Sequence, residues 1–313
     1  MPSAKTLLDF SVYLAFLAVA GIVRCLPIET ASNIGGWAGR QVGTRGRRHA
    51  RALGHLEYVY GASKTAAERE AILFQSWDTM GRIFVETLMV RRLLAEHDRF
   101  EMTGGALGTK IKEDGIGAVF VGAHYGNWEL AMWPPTCNGQ NPVGIYRLVS
   151  NRFIDRYLFA LRSNLFPGGL LLKDGLSAPK LIDLIKKGAH VGILCDQRER
   201  RGVVLPFLGK PAATMGLPAL LAHRLKVPLV AGRLVRLPNV RFRFECTPIA
   251  VDTSAPLKSE VKSAMGRIND LFSTWILEHP GQWLWAHRRW DHVDMAQARE
   301  EERKDWRSGR AEG

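Results

Sequence analysis

The sequence predicts an α/β sandwich in which a central mixed sheet is flanked by helices and preceded by an N-terminal membrane helix. An almost uninterrupted apolar run at residues 7–23 predicts the membrane helix. Beyond residue 104, short apolar runs alternate with segments of helical periodicity, which is typical of a sheet covered by helices. Hydrophobic residues make up 46% of the 313 residues, enough for a full-sized core. We therefore expect an anchor at 1–27, a folded domain at 28–290 and a charged tail at 291–313.

The apolar run from Leu7 to Val23 contains Asp9 as its one charge. It is at the short limit for a span, which needs about 20 apolar residues, so it is a tilted or short span or a helix in the membrane interface. A cleaved signal peptide is disfavoured, because the apolar region is too long and Lys5 is its only preceding cation. The run is soon followed by five arginines, namely Arg40, Arg45, Arg47, Arg48 and Arg51. Arginines in this position indicate that the bulk of the chain is cytoplasmic, or that they contact anionic headgroups.

The strands and helices of the domain are predicted from periodicity and from flanking turn residues. The strands are expected at Ala118–Gly122, Val143–Tyr146, His190–Cys195, Leu229–Leu234 and Phe242–Cys246. The helices are expected at Asn151–Asn164, Ser177–Lys187, Leu217–Leu225 and Lys258–Glu278, after a helical region at Lys64–Glu96. In that first region an apolar stripe is expected to be core; it consists of Phe74, Trp77, Met80, Phe84 and Leu88.

Composition limits the classes of function. A formal net charge of +13 and a pI of about 9.9 indicate an anionic partner, whether nucleic acid, an acidic protein or a membrane surface. The four scattered cysteines form no C-x-x-C pair, which argues against a disulfide scaffold or a zinc ribbon. The histidines lack metal-ligand spacing, so no metal site is predicted. The sequence also has no Walker A loop, no dinucleotide fingerprint and no G-x-S-x-G motif.

The segment from His124 to Glu129 carries the strongest chemical signal. His124 follows the predicted strand Ala118–Gly122, and Gly126 lets the chain turn toward a helix in whose first turn Glu129 would lie. A histidine with a carboxylate to orient it can act as general base in acyl transfer to a hydroxyl. Alternatively, His124 is a capping or packed histidine and Glu129 is a solvated first-turn acid.

A second polar strand end follows at Asp196 and Gln197. Open α/β sheets place their sites at the carboxyl ends of strands. Several cations crowd the next loop, namely Arg198, Arg200, Arg201 and Lys210. Either this is a solvated basic loop that ends at a helix N-cap, Thr214, or it is an anion-binding rim with Thr214 at a helix N-terminus.

Two further groups of residues have alternative readings. Arg152, Arg156 and Arg162 lie on a predicted helix, where they are solvated or, if one points toward His124, hold a phosphate or carboxylate. Aromatic and cationic residues alternate from Gln282 to Trp290. Such a run suits a membrane interface or base stacking, but packing against the helices is the default expectation.

Together, these features resemble the bacterial lipid A biosynthesis acyltransferases, the late lauroyl and myristoyl transferases, along the whole chain. The matching features are the apolar N-terminal segment, His124-Tyr-Gly-Asn-Trp-Glu129, Tyr146-Arg147, Asn151-Arg152, Arg162, Asp196-Gln197, Leu205-Pro-Phe-Leu-Gly209, Thr214 with Gly216, and Trp285 with Arg288-Arg289. The family usually has two adjacent aromatic residues where this chain has Phe207-Leu208.

The resemblance implies a fold like that of glycerol-phosphate acyltransferases and a location on the cytoplasmic face of the inner membrane, with residues 28–290 as the acyltransferase domain. It implies an acyl carrier protein thioester as donor and a lipid A precursor as acceptor, with His124 as base and Glu129 as its partner. The substrate-binding residues would be Arg147, Arg152, Arg162, Asp196 and Thr214. No metal, nucleotide or other cofactor is needed, because a thioester is already activated, and no nucleic acid partner is implied.

Two rival functions remain open at this point. One is the same reaction on another glycolipid, such as a phosphatidylinositol mannoside, which the resemblance also covers. The other is a catalytically dead, membrane-tethered binding protein for nucleic acid or anionic lipid. The positive charge permits it, but it leaves the polar strand ends at His124 and Asp196 unexplained.

Overall fold

The computed structural model describes residues 3–103, 105–173 and 178–290 and shows a mixed α/β fold with an N-terminal apolar helix. The helices are α1 (Ala4–Cys25), α2 (Ile28–Gly43), α3 (Arg47–Tyr60), α4 (Ala66–Leu88), α5 (Val90–Ala95), α6 (Gly105–Glu113), α7 (Trp133–Cys137), α8 (Arg152–Arg162), α9 (Ala178–Lys186), α10 (Leu217–Leu225) and α11 (Leu257–Glu278). The predicted start of one helix at Ser177 and the predicted tail 291–313 lie outside the described residues.

The strands form a seven-stranded sheet and a separate hairpin. They are β1 (Phe100–Met102), β2 (Ala118–Gly122), β3 (Pro142–Tyr146), β4 (Leu170–Leu172), β5 (His190–Leu194), β6 (Val203–Phe207), β7 (Lys210–Thr214), β8 (Leu229–Leu237) and β9 (Arg241–Pro248). The order in the large sheet is β1-β9-β8-β2-β5-β3-β4, and only the β8–β9 pairing in it is antiparallel. The expected central mixed sheet with flanking helices is therefore confirmed.

The five predicted strands correspond to β2, β3, β5, β8 and β9. Strand β2 lies at the centre with β5 and β8 on either side, which explains its unbroken apolar sequence. Strands β1 and β4 were not predicted, because three residues are too few to show a period. The hairpin β6–β7 was also missed, since Pro206 interrupts its first strand.

The N-terminal helices pack tightly on one another. Helix α2 lies against α4 at glycines, where a Cβ atom on Gly35 would approach the carbonyl oxygen of Gly81 to 2.6 Å. Within the predicted α4 stripe, Trp77 and Leu88 are buried as expected. The expectation fails for Phe74 and Phe84, which are about half exposed because they lie on the side of α4 that the core does not cover.

The aromatic run at 282–290 closes the core beside the end of β2. Trp283, Trp285 and Trp290 are almost fully buried, and Tyr125 pairs with Trp283 in an isolated β-bridge. The default expectation of packing is thus confirmed. Through this bridge the C-terminal part of the domain holds the chain segment that follows β2.

Candidate active site

The register of two parallel strands brings His124 and Asp196 together. Gly122 at the end of β2 pairs with Leu194 at the end of β5, and each of the two polar residues follows its strand end by two positions. His124 Nδ1 lies 2.7 Å from Asp196 Oδ1, and the backbone N–H of His124 donates to Asp196 Oδ2 at 2.9 Å. One carboxylate therefore fixes both the ring and the backbone of the histidine.

Asp196 is fully buried and yet charged. Besides the two contacts with His124, it accepts a hydrogen bond of 2.8 Å from Trp283 Nε1. Burial alone would raise the pKa of Asp196, but the interaction with His124 and the hydrogen bonds from His124 and Trp283 outweigh burial and hold that pKa far below its usual range. The site thus holds a fixed negative charge where an imidazolium would form.

The hydrogen bond to Asp196 also sets the tautomer of His124. Because a carboxylate can only accept, Nδ1 carries the proton, so in the neutral ring the lone pair is on Nε2. Nε2 lies 3.3 Å from the side-chain nitrogen of Gln197, and the His124 side chain lines a cavity. A histidine held in this way can accept a proton from a group that displaces Gln197.

His287 lies behind this pair. Its ring centroid is 5.6 Å from that of His124, and both its ring nitrogens are buried without a hydrogen-bond partner among the described residues. Burial lowers the pKa of His287 to about 3, so its ring is neutral. Donor atoms of His124, Asp196 and His287 lie within 4.8 Å of one another, close enough for shared metal ligation. Both Asp196 oxygens, however, already accept N–H donors, so the cluster here is hydrogen-bonded.

Glu129 does not take the role expected for it. Its carboxylate accepts two hydrogen bonds of 2.7 Å, from Nε and Nη2 of Arg162 on α8. The prediction that Glu129 orients His124 needs correction, because the orienting carboxylate is Asp196, 72 residues away in sequence. Glu129 instead forms a two-pronged ion pair on the same cavity wall as His124.

The turn between His124 and Glu129 requires a glycine. Gly126 has φ +56°, and a Cβ atom there would lie 1.7 Å from the carbonyl oxygen of Leu234. The next residue, Asn127, is fully buried and donates from Nδ2 to Glu86 at 2.7 Å. The backbone of this turn is therefore packed directly against β8.

The other predicted binding residues separate into two groups. Arg147 and Arg162 line the cavity with His124. Arg152 is exposed on α8, and Thr214 is buried at the end of β7; neither is among the residues that line this cavity.

The expectation that Thr214 caps a helix is wrong. The N-cap of α10 is Gly216, and among the described residues no side chain caps that helix. The Thr214 hydroxyl instead donates to the carbonyl of Ala212 and accepts from Arg289 at 2.8 Å. It belongs to the packing behind the site.

Sequence reasoning assigned no role to Glu86, a buried carboxylate that supports the turn from the other side. Glu86 accepts hydrogen bonds from Ser32 Oγ, Asn127 Nδ2 and both terminal nitrogens of Arg236. Burial would raise the pKa of Glu86, but Arg236 and these hydrogen bonds together lower it. The available signal was a glutamate among the apolar residues of a core helix, a position that buried acids occupy only when paired.

The cavity beside His124 has a volume of about 290 Å³. Its walls are mostly apolar and come from the strands of the sheet, with Phe120, Ile145, Gly232 and Phe244 among them. A second cavity of about 290 Å³ lies beyond Phe120 and Phe244, which line both. A histidine that lines a mostly apolar cavity suits a substrate with a hydrocarbon chain and a reactive head.

The fold and the site thus define an enzyme-like α/β protein with a hydrogen-bonded histidine–aspartate pair beside an apolar cavity. A search of curated protein sequences gave no significant match. The family model described as "Bacterial lipid A biosynthesis acyltransferase" matches residues 1–292. The chain belongs to that family of acyltransferases, and the resemblance found in the sequence is confirmed.

Proposed function

We propose that this protein transfers a fatty acyl chain from an acyl carrier protein thioester to a hydroxyl group of a lipid A precursor at the cytoplasmic face of the inner membrane. The family supports acyl transfer in lipid A biosynthesis. The observation that carries the proposed mechanism is the His124–Asp196 pair, in which Asp196 binds Nδ1 and the His124 side chain lines the cavity.

In the proposed reaction, Nε2 of His124 takes the proton of the acceptor hydroxyl as its oxygen attacks the thioester carbon. The C–S bond then breaks, and the departing thiolate takes the proton from the imidazolium. The products are an ester and the free carrier thiol, so no further reactant is needed. Asp196 stabilises the imidazolium between the two proton transfers.

The cavity suggests how the substrates are oriented. Its apolar walls suit the acyl chain, and we expect the thioester carbon to lie beside His124. Arg147 and Arg162 also line the cavity, and a guanidinium suits the phosphate groups of a lipid A precursor. Glu129 holds Arg162 in place through its two hydrogen bonds. We therefore assign Glu129 and Arg162 to acceptor binding and keep His124 as the base.

The test is acyl transfer by the purified full-length protein in detergent, with acyl carrier protein thioester and a lipid A precursor, followed by mass spectrometry of the product. Replacing His124 with alanine should lower kcat by about 10²–10⁴-fold, the usual contribution of a general base. His97→Ala is a matched control, because His97 is exposed outside the cavity lining. Near wild-type turnover by His124→Ala would refute the assignment. Binding of the lipid without transfer by the wild-type protein would favour the rival binding function.

A further inference from the structure

Helix α1 packs on the domain along one continuous face. Its 22 residues make it the one helix in the described part of the chain that is long and apolar enough to cross a membrane. Residues spaced three or four apart are nevertheless buried or half-buried from its first turn to its last, as expected for a helix docked along its whole length. These residues are Thr6, Asp9, Tyr13, Phe16, Leu17, Ala20 and Val23.

Specific contacts fix α1 at both ends and in the middle. Near its start, Asn151 Nδ2 donates to the carbonyl oxygen of Asp9 at 2.7 Å. In the middle, the rings of Tyr13 and Phe153 stack at 5.7 Å. At its end, Arg24 Nε donates to the carbonyl oxygen of Leu88 at 3.0 Å. In this structure α1 is therefore part of the domain surface.

Helix α8 runs beside the middle of α1 and carries charge. Phe153 contacts Tyr13, and Tyr157 contacts Phe16, so the two helices lie side by side. On α8, Arg152 and Arg156 are exposed. If α1 in this arrangement crossed the bilayer, whose hydrocarbon core is about 30 Å thick, both arginines would lie near the middle of the core. Charged side chains there are rare because they are costly.

The outward face of α1 is nonetheless apolar and continues onto its neighbours. Phe84 of α4, about half exposed, contacts Phe16 of α1, and α2 presents exposed Ile34 and Trp37. Three exposed arginines, Arg45, Arg47 and Arg48, follow α2. The exposed apolar residues of α1 are Leu7, Leu8, Phe10, Val12, Leu14, Val19 and Ile22.

One short chain segment connects the lining of the active-site cavity with this surface. Arg147 lines the cavity, and the next two residues, Leu148 and Val149, are exposed and apolar. The same short segment continues to Asn151, which binds the backbone of α1. An acyl chain or a lipid acceptor could thus pass between a membrane leaflet and the cavity over a short apolar path.

We propose that α1 lies along the membrane surface, docked on the domain, with its outer face immersed in the acyl-chain region of a single leaflet, and that it does not cross the bilayer. The exposed apolar residues of α1, α2 and α4 enter the leaflet, while the arginines after α2 meet anionic headgroups. This inference extends the membrane location proposed above, and it does not depend on the reaction.

Thiol labelling in sealed vesicles tests the topology. The exposed cysteines Cys25 and Cys137 are first replaced by serine. A single cysteine is then introduced as Ser3→Cys before α1 or, as a control on α11, as Ser259→Cys. In inverted inner-membrane vesicles, a membrane-impermeant maleimide should label both positions equally. Labelling of Ser3→Cys only in right-side-out vesicles would overturn the inference, and so would protection of that position in both vesicle types.

Cross-linking tests whether α1 stays docked in the membrane. In the same background, a short bismaleimide should join Tyr13→Cys to Phe153→Cys in vesicles as efficiently as in detergent, with each single variant as a control. A cross-link that forms in detergent but falls at least tenfold in vesicles would show that α1 leaves the domain and would overturn the inference. Acyl transfer by the same vesicles is measured separately, so that its failure would count against the proposed function alone.

Discussion

Replacing Asp196 with asparagine separates the two carboxylates that could serve the base. Asp196 accepts from His124 Nδ1 on one oxygen and from the His124 backbone and Trp283 on the other. Asparagine has only one accepting oxygen. We expect this oxygen to accept from the His124 backbone N–H and from Trp283 Nε1, as Oδ2 of Asp196 does. Its NH₂ group would then face Nδ1 and force the proton of His124 onto Nε2, where the ring can no longer accept a proton.

The expected loss in kcat is about 10²–10⁴-fold, equivalent to about 2.7–5.5 kcal/mol of transition-state stabilisation. KM should change little, because Asp196 does not line the cavity. The double variant His124→Ala/Asp196→Asn should be no slower than His124→Ala, since the two residues act as a unit. Steady-state kinetics measures kcat and KM of Asp196→Asn and kcat of the double variant, and circular dichroism checks that each variant is folded.

Glu129→Gln is the matched comparison. It weakens the ion pair with Arg162 but leaves the ring of His124 in place, so the acceptor KM should rise more than kcat falls. The reverse result would refute the assignment: near-normal kcat in Asp196→Asn together with loss of kcat and an unchanged KM in Glu129→Gln. Glu129 would then be the partner of His124 during catalysis, as the spacing first suggested.

Three further predictions concern the cavity, the basic loop and the buried acid. Gly232→Leu should narrow the cavity, since a Cβ there meets only ordinary contacts; kcat/KM across a donor series should shift toward shorter acyl chains. Reversing the exposed Arg200 and Arg201 to glutamate should raise the KM for the acidic carrier at low salt with little change in kcat, because rim charges act mainly on association; equal effects on the acceptor would contradict carrier docking. Glu86→Gln should cost about 3–5 kcal/mol at pH 7, as expected for breaking a buried pair. The pKa of Glu86 is lowered in the folded state. Its contribution to the free energy of unfolding is therefore present above the unfolded pKa of about 4.3 and is lost as pH falls below that value. Urea denaturation at a series of pH values should show that the free energy of unfolding of the variant falls less steeply at acid pH than that of the wild type.

The sequence was sufficient to predict the central strands and the location of the histidine. The run at 118–122 is apolar on both faces, which in a chain of this length indicates a central strand, and β2 has those bounds. A polar residue soon after such a strand lies at a site edge in an open α/β sheet. This is why His124 and Asp196 could both be named before the strand order was known.

The pairing of those residues was not predicted, because the reasoning used distance along the chain. Spacing along the chain favours the carboxylate five positions away, whereas the contact in the structure depends on β2 and β5 being parallel neighbours in a particular register. The sequence does not state that register. The partner of Glu129 was missed for a similar reason, since the position of Arg162 depends on how α8 packs, which its own periodicity does not determine.

The spacing between His124 and Glu129 is explained by separate contacts that hold the turn in place, rather than by a contact between the histidine and the glutamate. The turn after β2 carries three polar side chains, and each meets a partner from a different part of the fold. The pairs are His124 with Asp196, Asn127 with Glu86, and Glu129 with Arg162. Gly126 adds a close backbone approach that excludes any side chain. A base must be held within a fraction of an ångström to be effective, and three separate anchors on a six-residue turn supply that constraint. His124, Gly126, Asn127 and Glu129 are therefore each required at their positions for a physical reason, although only His124 is proposed to touch the reacting proton.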